Sequence, residues 1–516
     1  MKFRRYPVIA GSVLGALLLG ALATAACSSK SEAEMPIAPA TGGNGNPGSS
    51  GGAPVTGSGG SGIVLGGAGG GIGGPGTACV GLACQQTTCT VGACTQKACS
   101  GTSTTVSGTV YDPAGKVPLY NVVVYVPSAP VTPFAEGARC DRCDATVLNP
   151  LSSAITDTKG HFQLKDVPVG DNIPVVIQIG KWRRQITIPK VAACVDTALT
   201  DPNLTRLPRN KAEGDIPLIA IATGGFDSME CLPRRMGIDD AEFTTETGTG
   251  RIHLYSGADF AEANGTNHPA TKAFDPALNG GATLSRATSV WGSVDTLKRY
   301  DIVILSCEGN PIEQEKPMAS REAMYAYASL GGRVFASHWH RIWYSQGPAP
   351  VPMVGTWQDR TDPADPATGT INTAFPKGQA LADWLVNVGA STTAGQIEIR
   401  APRDNVQAVN PTYATEWTRI PTASGGGGRG MPGGAGTAVE YLTFNAPLAV
   451  PADQQCGRCV FTDLHVSSTG ADVPGKPFPG GCEQRDLSPQ EKAVEFMLFD
   501  LSSCVRDDRE PPMPPR

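Results

Sequence analysis

Residues 300–310, YDIVILSCEGN, and residues 331–340, GGRVFASHWH, decide the fold of the larger part of the chain. Each segment contains a short apolar run that is typical of a buried strand. The intervening residues 319–330 predict a helix, and Gly331 and Gly332 follow it where helices commonly end. A strand, a helix and a second strand in this order predict a parallel sheet that is covered on both faces.

The same alternation of predicted strands and helices extends over residues 215–504. A final helix is marked by Ser488, Pro489 and Glu491, which together form an N-terminal capping sequence. Further strands are predicted at residues 216–223, 251–255, 438–444 and 458–465. We therefore predict an α/β domain with a largely parallel, flavodoxin-like sheet.

Residues 104–190 have a different pattern, in which short runs of β-branched residues are separated by turns. The turns are YDPAG at residues 111–115 and TDTKG at residues 156–160, and Asp, Pro and Gly are the residues that such turns favour. This pattern predicts an antiparallel β-sandwich. The basic and aromatic residues 181–184, KWRR, could bind an anionic polymer, or they could form a solvated strand face.

The first 26 residues have the layout of an export signal, with Lys2, Arg4 and Arg5 before a run of apolar and small residues. The run ends in LATAAC, which resembles a bacterial lipobox in which Cys27 would carry the lipid. Cleavage at the Ala-x-Ala sequence is the alternative, and it would release a secreted protein. We expect a lipid-anchored protein of the cell envelope, on the outer membrane or facing the periplasm.

Residues 27–78 consist mostly of Gly, Ser, Pro, Ala and Thr, and they predict a disordered tether because they have too little apolar surface to fold. Residues 79–103 contain five cysteines spaced five apart, which we interpret as a disulfide-stapled module, with a metal cluster as the alternative. Residues 505–516 are expected to be a flexible tail. The membrane is one expected partner, through the N-terminal lipid, and an envelope polysaccharide or protein is another.

The chain has 15 cysteines, which leaves 14 when the lipobox cysteine is set aside. An even number in an exported protein favours disulfide bonds, although their pairing cannot be predicted. The C-x-x-C sequences at residues 140–143 and 456–459 could instead form a redox-active site or a split zinc site. The disulfide candidates are Cys79, Cys84, Cys89, Cys94, Cys99, Cys140, Cys143, Cys194, Cys231, Cys456, Cys459, Cys482 and Cys504.

The formal net charge is −6 and the sequence pI is about 5.6, so nucleic-acid binding is not expected. Charged residues make up 17% and aromatic residues 6% of a chain with 63 glycines and 43 prolines. This composition is typical of a turn-rich protein and not of a helical bundle.

Ligands of an open α/β sheet bind at the carboxyl ends of its strands. Three of the six histidines follow such predicted ends, namely His338, His340 and His465. His338 and His340 could point the same way and bind a divalent metal ion, with Glu308 or His465 completing the site. The alternative is that these histidines are ordinary buried side chains with satisfied hydrogen bonds.

A nucleophilic catalytic site is a further hypothesis for these strand ends. Ser337 could attack a substrate, with His465 as its base and Asp463 as the group that orients the base. Asp463 lies on the same strand face as His465, two residues away, which is a poor position for this role.

Two segments of the sandwich, GTVYDPAGKVPLYNVVVYV at residues 108–126 and TDTKGHFQLKDVPVG at residues 156–170, resemble the carboxypeptidase regulatory-like family. The resemblance implies a transthyretin-like sandwich with an accessory or binding role. The departure from the family is an insert at residues 128–153 that contains Cys140 and Cys143.

The strand segments quoted first, together with GRCVFTDLHV at residues 457–466, resemble the ThuA-like branch of the class I glutamine amidotransferase-like fold. The resemblance implies a nucleophile near Ser337 at a sharp turn and a base at His465. The turn lacks flanking glycines, and no Glu follows His465 two residues later. The ThuA-like branch commonly lacks a thiol nucleophile, so fold is implied more than activity.

The whole chain resembles a family of exported, cysteine-rich bacterial lipoproteins. Some members carry the name tryptophan synthase alpha chain, which these residues do not support because that barrel needs about eight βα units. We expect a cell-envelope protein of the binding or structural class. The alternative is an extracytoplasmic hydrolase that acts on carbohydrate or ester substrates through Ser337 and His465 or through a histidine-bound metal.

Overall fold

The computed structural model describes residues 94–95, 97–143, 149–360, 362–422, 436–466 and 472–515. These residues all belong to one compact unit, Gly76–Arg516. The predicted signal peptide, Cys27, the tether and most of the cysteine repeat, including Cys79, Cys84 and Cys89, lie outside the described residues.

Two small sheets form the first part of this unit. One has the strand order β1-β6-β3-β4, with β7 also paired to β6, and the other has the order β5-β2-β8. The strands are β1 Cys94–Thr95, β2 Thr105–Thr109, β3 Val123–Val126, β4 Ser152–Ile155, β5 His161–Lys165, β6 Val169–Ile179, β7 Trp182–Val191 and β8 Asp196–Leu199. Residues from both sheets, such as Val106 and Val175, belong to one buried core.

The last of these strands differs from the prediction. β8 runs parallel to β2 and extends the second sheet beyond residue 190, whereas a wholly antiparallel sandwich was expected. The chain crosses from β7 to the other sheet before it forms β8, so the two strands can align in the same direction. The disulfide bond Cys99–Cys194 joins the two chain segments that precede β2 and β8.

A ten-stranded mixed sheet forms the second part of the unit, which also contains two separate two-stranded sheets. The strands are β9 Ile219–Ala222, β10 Phe243–Thr244, β11 Ile252–Tyr255, β12 Phe260–Ala261, β13 Asn267–His268, β14 Ile302–Leu305, β15 Arg333–Ser337, β16 Gly355–Trp357, β17 Ala367–Ile371, β18 Gln396–Ile399, β19 Val406–Val409, β20 Thr415–Thr422, β21 Gly436–Ala446 and β22 Gly457–Thr462. β12 pairs with β13 and β16 with β19.

The order of the large sheet is β10-β11-β9-β14-β15-β22-β21-β20-β17-β18. The strands from β10 to β22 are parallel, as the sequence predicts. The strands from β21 to β18 are antiparallel, so the expected largely parallel sheet is instead mixed. In β17 buried and exposed residues alternate, as is typical of antiparallel strands.

Helices are few beside these strands. The described helices are α1 Pro202–Thr205, α2 Cys231–Arg235, α3 Thr288–Trp291, α4 Val294–Leu297, α5 Met318–Ser329, α6 Ile342–Ser345, α7 Pro376–Asn387 and α8 Pro489–Ser502. The predicted capping box at Ser488 and Glu491 begins α8. Within the described residues, no helix has both the length and the apolar character needed to cross a membrane.

Both faces of the parallel part of the large sheet are buried. Ile302 and Ile304 of β14 belong to one core with Val494 of α8. Val303 and Leu305, which point to the opposite face, belong to a second core with residues of α3 and α5. Alternate residues of the apolar strands therefore fill two cores, which is why these strands are continuously hydrophobic.

α8 also joins the large sheet to the sandwich. Tyr120 stacks on Phe496 of α8 with ring centroids 6.0 Å apart, and Trp182 meets Phe499 edge-on at 5.8 Å. Nearly every side chain of α8 is buried as a result. The sandwich and the large sheet thus share a core, which explains why they form one compact unit.

Residues 181–184, KWRR, contribute to this junction and do not form a surface patch. Trp182 is buried, and Lys181 Nζ donates to Asp301 Oδ1 of the large sheet at 2.6 Å. The predictions of a solvated strand face and of a polymer-binding patch are therefore both wrong, because these side chains are used inside the protein.

Four disulfide bonds link the described cysteines: Cys99–Cys194, Cys140–Cys456, Cys143–Cys504 and Cys231–Cys482. Neither C-x-x-C sequence closes on itself. Cys459 was expected in a disulfide bond but is a buried free thiol. It lies inside β22, whereas Cys456 precedes that strand and pairs with Cys140. Cys307 is the other free cysteine of the described residues.

Residues 505–508, at the start of the predicted flexible tail, are packed against the rest of the protein. Val505 and Asp508 are buried. Asp508 forms ion pairs with Arg458 of β22 at 2.7 Å and with Lys377 of α7 at 3.2 Å. Two buried cations therefore hold the segment that follows α8.

Candidate functional site

The carboxyl ends of β9, β14, β15 and β22 meet at one edge of the large sheet. The residues that follow these ends include Asp227, Cys307, His338 and His465, and all four are buried. We call this group, together with Asp463, the strand-end site. Its position agrees with the rule that ligands of open parallel sheets bind at carboxyl ends.

His338 occupies the sharp turn after β15. Its φ is +44°, a left-handed conformation that is uncommon for residues other than glycine. The chain passes directly from this residue into a 3-10 turn, His338–Arg341. The residue at the turn is therefore His338, one position after the serine that was predicted as the nucleophile.

Three potential metal ligands converge in the strand-end site. His338 Nδ1 lies 3.2 Å from Cys307 Sγ and 3.3 Å from His465 Nε2. The ligand atoms of the three residues all lie within 4.8 Å of one another. We call Cys307, His338 and His465 the thiol–imidazole cluster.

Burial sets the protonation of this cluster. It lowers the pKa of His338 well below its usual range, and His465 and Arg403 lower it further. Burial also lowers the pKa of His465 to about 3 and raises the pKa of the Cys307 thiol to about 12. The two imidazoles are therefore neutral, which is the form that binds metal ions.

The predicted metal site of His338, His340 and Glu308 does not form. Glu308 Oε2 pairs with Lys316 Nζ at 2.6 Å and lies 3.7 Å from His340 Nε2. His340 Nδ1 accepts a hydrogen bond from Trp343 Nε1 at 2.9 Å. Because the chain turns at His338, His340 points into a different cluster, and only His465 joins His338 as anticipated.

The predicted hydrogen-bonded triad of Ser337, His465 and Asp463 does not form either. The Ser337 hydroxyl donates to Asp227 Oδ2 at 3.0 Å. Asp227 Oδ1 accepts from the backbone N–H of Val466 at 2.8 Å. Ser337 therefore helps to hold the segment that carries His465 and has no hydrogen bond to its ring.

Asp463 belongs to a carboxyl pair that sequence reasoning missed. The backbone N–H of Asp463 donates to Glu440 O at 2.9 Å, so these residues are neighbours on adjacent strands. Neither Asp463 carboxyl oxygen nor Glu440 Oε2 has a hydrogen-bond partner among the described residues. Burial raises the pKa of Glu440 well above its usual range, and Asp463 raises it further. A lone glutamate in the apolar run AVEYLTF was the available signal.

Two arginines lie at the border of the strand-end site. Arg341 pairs with Asp359 at 2.5 Å, and Arg403 lies 3.4 Å from Asp362. Arg341 also lies over the ring of Trp339, 5.2 Å from its centroid. These cations lower the pKa values of nearby groups, but each one has its own acidic partner.

Comparisons with known proteins give little further information. No family model and no curated protein matches the chain. Two matching solved structures are interface mutants of a type II cohesin–X-dockerin complex from Acetivibrio cellulolyticus. One is 19% identical, covers 28% of this chain and 75% of that chain, and has a TM-score of 0.14. The other is also 19% identical, covers 26% and 85%, and has a TM-score of 0.15. Scores this low carry no argument about fold or function.

Proposed function

We propose that the chain is an exported cell-envelope protein of the binding class, anchored through a lipid on Cys27. The observation that carries this proposal is the pair of disulfide bonds Cys140–Cys456 and Cys143–Cys504. They tie the insert of the sandwich to the large sheet and to the C-terminal segment. Disulfide bonds persist in oxidising compartments outside the cytoplasm and are rare inside it.

We also infer that the sandwich is carboxypeptidase regulatory-like and that the large sheet is ThuA-like. The six parallel strands and the sharp turn at His338 support the second assignment. A histidine at this turn, in place of a thiol or hydroxyl, favours a binding role over acyl transfer. An envelope polysaccharide or protein remains the proposed macromolecular partner.

Export and anchoring are tested by expressing the full chain and its Cys27→Ala variant with labelled palmitate. We expect label in the membrane fraction for the wild type and none for the variant. Equal labelling of the two proteins would overturn the lipid anchor.

The oxidation state of the cysteines is measured in the same fractions by alkylation with mass tags before and after reduction. Cys140, Cys143, Cys456 and Cys504 should react only after reduction. Cys459 is the internal control, because a buried free thiol reacts on unfolding without a reductant. Finding all of these cysteines reduced in the cytoplasm would exclude the proposed location.

A metal-dependent hydrolase acting outside the cytoplasm on ester or carbohydrate substrates is a second proposal. It is favoured by the approach of His338 to His465, since hydrolytic zinc sites use imidazole ligands. This proposal assigns no role as nucleophile to Ser337, whose hydroxyl donates to Asp227. Chromogenic esters and glycosides should be cleaved by the zinc-loaded protein and not after chelation, and Ser337→Ala should retain the activity. Equal rates with and without zinc would exclude this proposal.

A further inference from the structure

The two close neighbours of His338 Nδ1 cannot both be satisfied by hydrogen bonds to it. Cys307 Sγ lies at 3.2 Å and His465 Nε2 at 3.3 Å from this one nitrogen. A neutral imidazole nitrogen carries either one proton or one lone pair. It can therefore form a good hydrogen bond with one of these neighbours and not with the other. A cation shared by all three donors would accommodate this convergence.

Two of the three separations between the donors are close to those of tetrahedral coordination. Zinc bonds of about 2.3 Å to sulfur and about 2.0 Å to nitrogen place neighbouring tetrahedral donors about 3.3–3.6 Å apart. The observed separations of 3.2 Å and 3.3 Å are close to this range. The ligand atoms of the three residues lie within 4.8 Å of one another, so the side chains would move together to complete the geometry.

The backbone around the cluster is held by contacts that do not use its ligand atoms. The three residues follow β14, β15 and β22, which are strands of one sheet. Gln490 Nε2 of α8 donates to the carbonyl of His465 at 2.8 Å. Asp227 holds the N–H of the next residue, Val466, at 2.8 Å. The donors are thus brought together by rigid elements before any ion binds, which favours affinity.

We propose that Cys307, His338 and His465 bind one Zn²⁺ ion. A thiolate with two imidazoles is a donor set that suits zinc and does not suit magnesium or calcium. Three protein donors leave a fourth position, which is the arrangement of catalytic and ligand-exchanging zinc sites and not of closed structural ones. Binding releases the thiol proton to solvent, so sulfur enters the site as thiolate.

This inference deepens the proposed binding function by naming its ligand. It is tested on purified, disulfide-bonded protein, so a failure of the envelope location leaves it intact, and its failure leaves the localisation experiments unaffected.

The first experiment measures zinc by mass spectrometry after chelation, dialysis against Zn²⁺ and removal of free ion. We expect one zinc per wild-type chain. Cys307→Ser and His465→Ala should weaken binding by more than about 100-fold, because loss of an outer hydrogen-bond partner alone costs about 10–100-fold.

Two matched variants serve as controls. Cys459→Ser removes the other buried free thiol, and His253→Asn removes a buried histidine that contacts Tyr300. Both should bind zinc as the wild type does. If Cys307→Ser retains stoichiometric zinc, or if the wild type binds none, the proposal is wrong.

A second measurement needs no variant and therefore does not depend on a substitution being tolerated. X-ray absorption of the zinc-loaded wild type should show one sulfur and two imidazole ligands. The cobalt-substituted protein should show tetrahedral bands and a thiolate charge-transfer band. A shell of oxygen donors only would overturn the site, and stoichiometric binding of copper without zinc would overturn the assignment of the metal.

Discussion

The two ends of β22 both carry buried polar side chains, but they differ in how completely those groups are paired. At the amino end, Arg458 lies 2.5 Å from Asp500 and 2.7 Å from Asp508. Lys377 pairs with the same two carboxylates at 2.9 Å and 3.2 Å. At the carboxyl end, neither carboxyl oxygen of Asp463 has a hydrogen-bond partner among the described residues.

The difference indicates that buried polar side chains have different roles at the two ends of β22. Two cations pair with two carboxylates, and only Arg458 Nε of these four side chains lacks a hydrogen-bond partner among the described residues. These ion pairs hold α7, α8 and the C-terminal segment to β22. Burying polar groups without partners costs free energy, and a bound ligand or water is one way to offset that cost. We infer that the amino end of β22 stabilises the fold and that the carboxyl end is adapted to binding.

The largest expected effect is at the amino end. Arg458→Met leaves Lys377 as the only cation of this network facing two buried carboxylates. The free energy of unfolding should fall by about 3–5 kcal/mol, as is typical when one partner of a buried ion pair is removed. Urea unfolding of the oxidised protein measures this change. A loss below about 1 kcal/mol would contradict a stabilising role for the network.

A smaller loss is expected for the hydroxyl that supports the strand-end site. Ser337→Ala removes a donor from buried Asp227 and should lower the free energy of unfolding by about 1–3 kcal/mol. Ser107→Ala is the matched control, because its hydroxyl donates to Asp196 at 2.6 Å on the surface. Similar unfolding curves for the two variants would show that burial of the Ser337–Asp227 hydrogen bond has no special importance.

A change of opposite sign is expected at the carboxyl end. Glu440→Gln should raise the free energy of unfolding at pH 7 by about 1 kcal/mol, because the amide has no charge to desolvate. The raised pKa of Glu440 means that its contribution to stability is present below the ordinary glutamate pKa. That contribution is lost as the pH rises through the folded-state pKa.

The pH dependence checks this assignment. Both proteins are first treated with a chelator to remove bound metal. Between pH 4 and pH 8, the free energy of unfolding of the wild type should fall relative to that of Glu440→Gln. If the difference in the free energy of unfolding between the two proteins does not change over this pH interval, the pKa of Glu440 is not raised as described.

The smallest effect is expected where charges are exposed. Lys116 and Asp486 form an ion pair with exposed fractions of 64% and 78%. Solvent screens such pairs, so Lys116→Gln should leave the unfolding midpoint unchanged within error. A clear destabilisation would mean that pairing, and not burial, explains the contrast between the two ends of β22.

Local patterns predicted much of the secondary structure. The apolar runs at β9, β11, β14 and β15 and the capping box of α8 are read from residues that lie within a few positions of one another. Such patterns report the burial and backbone preferences of single elements. The short strands of the sandwich were recognised in the same way, from their turns.

The sequence by itself therefore determined where the most apolar strands and the last helix lie, that the cysteines favour disulfide bonds, and which strand ends carry histidines. Only the tertiary structure decided which groups meet. His338 and His465 are 127 positions apart, and Cys143 and Cys504 are separated by 361. Their approach depends on strand order and register in the large sheet. Three features arise only in the tertiary structure, because non-local contacts form when the whole sheet has assembled. They are the thiol–imidazole cluster, the Glu440–Asp463 pair and the ion-paired C-terminal segment.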